Sequence, residues 1–357
     1  MIRWAQLSPK GDKIAYQALG KIYVRDIDSG KRKRLTKQNE HFEFYPTFSP
    51  DGKKIVYHKT GGNNHQGYAY TRKTGIYTMP SNGGDATLVT PQGENPRFSA
   101  DGERIYYQTG GYLFGSLKKA FKSIKVDGSD NQTIFNTKYS NTFVASPDNK
   151  WIAFTELFKV YISPMPKTGQ PIALSANTKA VPVALVARDA GINLHWANNS
   201  ETLHWTLGEE YFTANVNERF LFLENSVDSI PPIDTVGLKI GLKLKTDKPS
   251  GKIAFTNARI ITMNGDKVIE TGTILIEENK IIAVGKTSEI KVPKDATVYN
   301  LEGKTIMPGI VDAHAHVGNF RYGLSPQQQW SYFANLAYGV TTVHDPSSNT
   351  EMIFSQS

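Results

Sequence analysis

The sequence predicts a mainly β chain: a run of four-stranded β-propeller blades, then a second β-rich segment of different character. Two observations carry this expectation. One hairpin phrase recurs five times at blade-like spacing, and the repeat stops near Ser226, beyond which short apolar strands continue without it.

The copies of the phrase are Leu7 to Tyr16 (LSPKGDKIAY), Phe48 to Tyr57 (FSPDGKKIVY), Phe98 to Tyr107 (FSADGERIYY), Ala145 to Phe154 (ASPDNKWIAF) and a degraded Trp196 to Trp205 (WANNSETLHW). Their serines, Ser8, Ser49, Ser99 and Ser146, stand 41, 50 and 47 residues apart. That is close to the roughly 40–50 residues of a propeller blade. Each copy reads as a hairpin, because Pro-Asp-Gly residues pre-set or tolerate turn dihedrals. A strand of alternating apolar residues follows, such as Ile55 and Tyr57, then a third such as Gly75 to Met79, and a closing Leu-Thr or Val-Thr pair. Four short strands per unit emerge.

Composition agrees with a folded chain. Of the 357 residues, 39% are hydrophobic and 21% charged, which is enough apolar surface for two or more cores. The net charge of +8 raises the question of a nucleic-acid partner. The densest basic run, Lys31 to Arg34, sits beside a Ser29-Gly30 turn signal and reads as a solvated hairpin loop, so no nucleic acid is expected. No stretch of about 18 apolar residues spans a membrane, and the first residues lack signal-peptide regions. Zero cysteines exclude disulfides and thiolate chemistry, and they fit a periplasmic or secreted parent protein without requiring one. The histidines outside the motif below, such as His41, His58 and His65, read as loop or surface residues.

After a linker over 226–250, strand-like runs at Ile253 to Met263, Thr273 to Glu277 and Ile281 to Gly285 form a meander, consistent with a small sandwich or barrel. An earlier run, Val236 to Leu244, also reads as a strand of this second segment. Then comes Gly303 to His316, ending Val311-Asp312-Ala313-His314-Ala315-His316. Histidines two apart on a strand project to one face, so His314 and His316 can offer two imidazoles to one ion. Asp312 shares their parity and reads as a buried carboxylate holding the histidines or the backbone by hydrogen bonds, in preference to ligating the ion directly. Ser325 to Tyr338 has helical apolar spacing with Ser325-Pro326 as cap and first turn, and Gly339 to Asp345 reads as the next strand. His344 and Asp345 close that strand, where they shape the loop or touch a substrate.

Two resemblances follow from these residues. The repeat over 1–225 resembles the TolB-type propeller. The runs FTNARIITMNGDKVIETGTILIEENKIIAVG and TIMPGIVDAHAH resemble the amidohydrolase superfamily, especially its imidazolonepropionase-like branch. The second resemblance implies that 251–305 belongs to a small β-sandwich and 306–357 opens a (β/α)8 barrel. The whole fold class is then propeller blades, a small sandwich, and the first strands and helix of an incomplete barrel.

The resemblance further implies that His314 and His316 are metal ligands for a divalent ion, zinc first. The parent would hydrolyse amide or cyclic-amide carbon–nitrogen bonds through a metal-activated water, on a small-molecule or peptide-like amide substrate, with the propeller gating or docking. The family's later ligands and its catalytic aspartate would lie beyond Ser357, so the sequence is expected to be an excerpt. It is expected to be inactive alone and prone to homo-oligomerise through the strand edge at 341–344. The alternative from another class is a non-enzymatic TolB-like binding module. A propeller-linked serine peptidase would need a Gly-x-Ser-x-Gly elbow, which is absent.

Overall fold

The computed structural model describes residues 2–39, 41–60, 73–110, 118–166, 169–197, 199–241, 249–317 and 330–346. The chain divides into two compact units, Met1–Leu242 and Lys243–Ser357.

The first unit is a succession of antiparallel sheets. β1 (Ile2–Leu7), β2 (Lys13–Ala18), β3 (Lys21–Asp26) and β4 (Arg32–Arg34) pair in chain order, as do β5 (Phe42–Phe48), β6 (Lys54–Thr60), β7 (Gly75–Pro80) and β8 (Thr87–Thr90). The third sheet holds β9 (Glu94–Phe98), β10 (Arg104–Gly110), β11 (Lys119–Lys125) and β12 (Gln132–Thr137). The fourth holds β13 (Ser140–Ala145), β14 (Trp151–Glu156) and β15 (Lys159–Pro164). A short β16 (Ile172–Ala173) then crosses to pair parallel with β12, and β17 (Ala184–Ala187) closes the fourth sheet. The fifth holds β18 (Ile192–Trp196), β19 (Thr202–Leu207), β20 (Glu210–Asn215) and β21 (Leu238–Lys239). These are the blades the repeat predicts.

The phrase folds as one turn, five times. The backbone N–H of Ser49 donates to Lys54 O, and Gly52 N donates back to Ser49 O. The same pair of bonds recurs at Ser8, Ser99, Ser146 and Ala197. The fourth residue of each turn has positive φ: Gly11, Gly52 and Gly102 near 72–75°, Asn149 at 60° and Ser200 at 62°. Glycine is favoured there because a Cβ is strained in that region. The aspartate is explained too, since Ser49 Oγ donates to Asp51 Oδ1 at 2.6 Å and Asp51 accepts Lys53 N, satisfying the turn's polar groups.

Core clusters bridge successive sheets. Ile22, Ile55 and Tyr77 join the first to the second, and Val56, Ile105 and Ile124 the second to the third. Phe121, Phe143 and Phe154 join the third to the fourth, and Val144, Val160 and Trp205 the fourth to the fifth. Each fully buried Ile or Phe contributes about 1.5–3 kcal/mol of transfer free energy.

Three sequence expectations are corrected. His41 and His58 are buried, not loop or surface residues; His58 lies within β6, and His41 Nδ1 sits 3.1 Å from Thr60 O at the entrance to β5. His65 lies outside the described residues. Arg32–Arg34 form the exposed edge strand β4 rather than a loop, and charge on an edge opposes further pairing. Finally, Leu238–Lys239 pair with Tyr211 and Glu210, so this part of the expected linker completes the fifth sheet instead of opening the second segment.

The second unit begins with one mixed sheet of β22 (Lys252–Ile261), β23 (Val268–Glu277), β24 (Lys280–Lys286), β25 (Ala296–Asn300) and β26 (Thr305–Ile306), in which β25 and β26 both pair parallel with β22. Ala254, Thr256, Ala258 and Ile260 alternate into its buried side, as period-two patterning requires. A β-α-β unit follows: β27 (Ile310–Asp312), α1 (Trp330–Ala337) and β28 (Val340–Val343), the two strands parallel. No barrel closes among the described residues. The expected helix start at Ser325-Pro326 lies outside them.

Candidate metal centre

β26 ties the chain to the sheet through Arg259 and Ile260, and Met307-Pro308-Gly309 then carries it into β27. Gly309 is required by space: a Cβ there would run into the Thr341 side chain on the neighbouring strand. β28 is a β-branched run, Val340-Thr341-Thr342-Val343, suited to a pleated surface. It aligns Ile310 with Val340 and Asp312 with Val343. Pairing continues past both strands, His344 N donating to Asp312 O at 2.8 Å and Ala315 N to His344 O at 3.0 Å.

The structure therefore corrects how the two histidines meet. β27 ends at Asp312, and Ala313-His314 is a turn, so strand alternation is not what aligns the rings. Asp312 holds the turn: its Oδ1 accepts His314 N at 3.1 Å, the hydrogen-bonding part expected of it. Ala315 is buried, while His314 and His316 on either side of it are exposed. Their ring centroids lie 5.1 Å apart with planes at 81°. Two imidazoles bound at about 2.0–2.1 Å to one tetrahedral zinc would hold their centroids about 5 Å apart. The centroid separation matches that spacing.

Two further residues belong to this corner, neither assigned a part there by sequence reasoning beyond loop shape or substrate contact. Asp345, its side chain 12% exposed, places Oδ1 3.7 Å from His316 Nδ1. Tyr332 on α1 has its phenol pKa raised by burial and then by the negative charge of Asp345, which places the ring near that carboxylate. The sequence signal for Asp345 was its place with His344 at the C-terminal end of a strand; the parallel pairing of β27 with β28 turns that position into proximity to His316. His344 itself faces the backbone, with Nδ1 3.2 Å from Ala313 O, and so shapes the loop. Among the described residues no group of three or more His, Asp or Glu converges as a cage, so the corner offers a pair of imidazoles with an adjacent carboxylate.

No protein-family model matches the chain. The chain is 36% identical over 78 residues to an enamidase of Eubacterium barkeri, covering 21% of this chain and 20% of that protein. It is 40% identical over 70 residues to a 5-methylthioadenosine/S-adenosylhomocysteine deaminase of Bacillus thuringiensis, covering 18% and 15%. The matches thus span about a fifth or less of these relatives' lengths. Among solved structures, a TolB of Agrobacterium tumefaciens aligns over 83% of this chain and 85% of its own, at 13% identity and a TM-score of 0.43. The propeller domain of Myceliophteria thermophila Cps50 aligns over 61% and 83%, at 8% identity and 0.38. The blade architecture rests on this chain's own sheet topology, and in sequence the chain is partly similar to amidohydrolase-type enzymes that include an enamidase and deaminases.

Proposed function

We propose that the protein carrying this chain is a metal-dependent hydrolase of amide or cyclic-amide carbon–nitrogen bonds, with zinc as the first candidate ion and the propeller as a gating or docking domain. The observation that carries the reading is the 5.1 Å pairing of His314 and His316 at the C-terminal end of a parallel strand. Functional groups gather at that end in β/α folds. The names of the partial relatives, enamidase and deaminase, support the same bond class.

His314 and His316 would hold the ion. When bound, such an ion would supply Lewis acidity toward a carbonyl and a water acidic near neutral pH. Asp345, 3.7 Å from His316 Nδ1 and beyond direct hydrogen-bond reach, would bias the orientation of that ring through its charge. Asp312 keeps the turn closed so that both rings stay on one side. The substrate class proposed is a small-molecule or peptide-like amide.

The test is the metal content of the purified protein, with zinc affinity measured by competition against a chelator. Alanine at His314 or at His316 is expected to lower affinity at least tenfold with an unchanged circular dichroism spectrum. Unchanged metal content in both variants would refute the assignment, whatever the activity toward amides.

A further inference from the structure

We propose that a groove at the outer edge of the fourth propeller sheet binds a small monocarboxylate with an apolar body. The groove is open to solvent and holds about 390 Å³, a volume within the roughly 300–1,000 Å³ of small-molecule sites. One wall is Val183 and the start of β17, including Leu185; the other comes from the segment after β20, including Arg219, Leu221, Phe222 and Ile230. β17 ends the sheet order of its blade, so its outer edge has no strand partner among the described residues.

Two features of this groove are unfavourable as they stand, and one ligand class relieves both. Leu221, Phe222 and Ile230 are each more than half exposed, which leaves apolar surface in water around a concavity. Between them lies Arg219, only 7% exposed. Its Nη1 donates to Pro231 O at 2.8 Å, its Nε has no hydrogen-bond partner, and it forms no ion pair among the described residues. A guanidinium has five N–H donors, and a buried charge without a counter-ion is costly.

A carboxylate supplies the missing charge and matches the planar fork of the guanidinium. An alkyl or aryl body on the same molecule covers the exposed side chains. A phosphate dianion suits the site less well, because one cation in apolar walls balances one negative charge. A cation is repelled.

The experiment is calorimetric titration of the protein with hexanoate and with phenylacetate, each compared with its uncharged amide. Saturable binding of at least one acid, at least tenfold tighter than its amide, is expected. Arg219→Met should remove that preference while the circular dichroism spectrum is unchanged. Should Arg219→Met fail to fold, Phe222→Asp decides, since this side chain is exposed and the new carboxylate would face the ligand; a tenfold loss is expected. The proposal is overturned if neither acid saturates, if amide and acid bind within twofold of each other, or if a folded variant keeps the acid's affinity.

Discussion

Acid sensitivity of the second blade can be worked out from His58. The residue lies within β6, opposite Phe44 and Ile76 on the flanking strands, and is 8% exposed. Burial pushes its pKa down to about 4, against about 6.5 in an unfolded chain. The folded state therefore binds fewer protons than the unfolded state between those values. Stability is complete above about pH 6.5 and is lost as pH falls toward 4. The gap of about 2.5 units corresponds to about 3 kcal/mol in full, and about 2.5 kcal/mol of it is lost between pH 7.5 and 4.5. Against a total of about 5–15 kcal/mol this is a large fraction. Glu43 and Glu94 act in the opposite sense, because burial raises both and the folded state gains stability as pH falls through their raised values. A difference measurement isolates the histidine. Urea unfolding of the wild type and of His58→Gln at pH 7.5 and 4.5 should show the wild type losing about 2.5 kcal/mol more than the variant. Equal losses in both proteins would mean that His58 is protonated in the folded state, and the reasoning would fail.

Two other perturbations follow. Asp345→Asn should weaken zinc binding by about 10–100-fold without changing the fold, as loss of a carboxylate that orients a ligand does; unchanged zinc affinity by chelator competition would leave Asp345 only a loop residue. The β14–β15 hairpin closes on Leu157 and Phe158, both at positive φ (46° and 74°) and both exposed, where a two-residue turn favours Asn-Gly. Leu157→Asn with Phe158→Gly should therefore stabilise by about 2 kcal/mol, raising Tm by about 4–8 °C in a scanning calorimeter; an unchanged Tm would show that the apolar pair makes stabilising contacts.

The blades were readable in sequence because their information is local. A Ser-x-Asp-Gly turn specifies its own hydrogen bonds within six residues, as Ser49, Asp51, Gly52 and Lys54 do, so each copy announces a hairpin without reference to the rest of the chain. Even the degraded copy at Ala197 keeps the backbone bonds, with Ser200 taking the glycine's conformation. The fifth sheet's last strand was misplaced for the opposite reason. Leu238–Lys239 reach β20 from more than twenty residues away, and a two-residue strand carries no period of its own. His41 and His58 were misread because a histidine's burial is decided by which blade packs on its strand, a non-local fact.

At the candidate metal site the same division explains both what was found and what was missed. The residues His314 and His316 could be named from their spacing, yet the spacing was explained by a strand that stops at Asp312. What brings the rings together is a turn pinned at two points: by Asp312 Oδ1 from within, and by His344 of the neighbouring strand through Asp312 O and Ala315 N. That second point depends on β28 lying parallel to β27, which in turn depends on Gly309 leaving room for Thr341. The same parallel register delivers Asp345 to His316. A pair two residues apart thus acquires its carboxylate from a residue twenty-nine positions after His316, through backbone pairing rather than through any motif. Perturbing Gly309 or β28 should therefore disturb the imidazole pair as surely as replacing a histidine, although neither element contributes an imidazole.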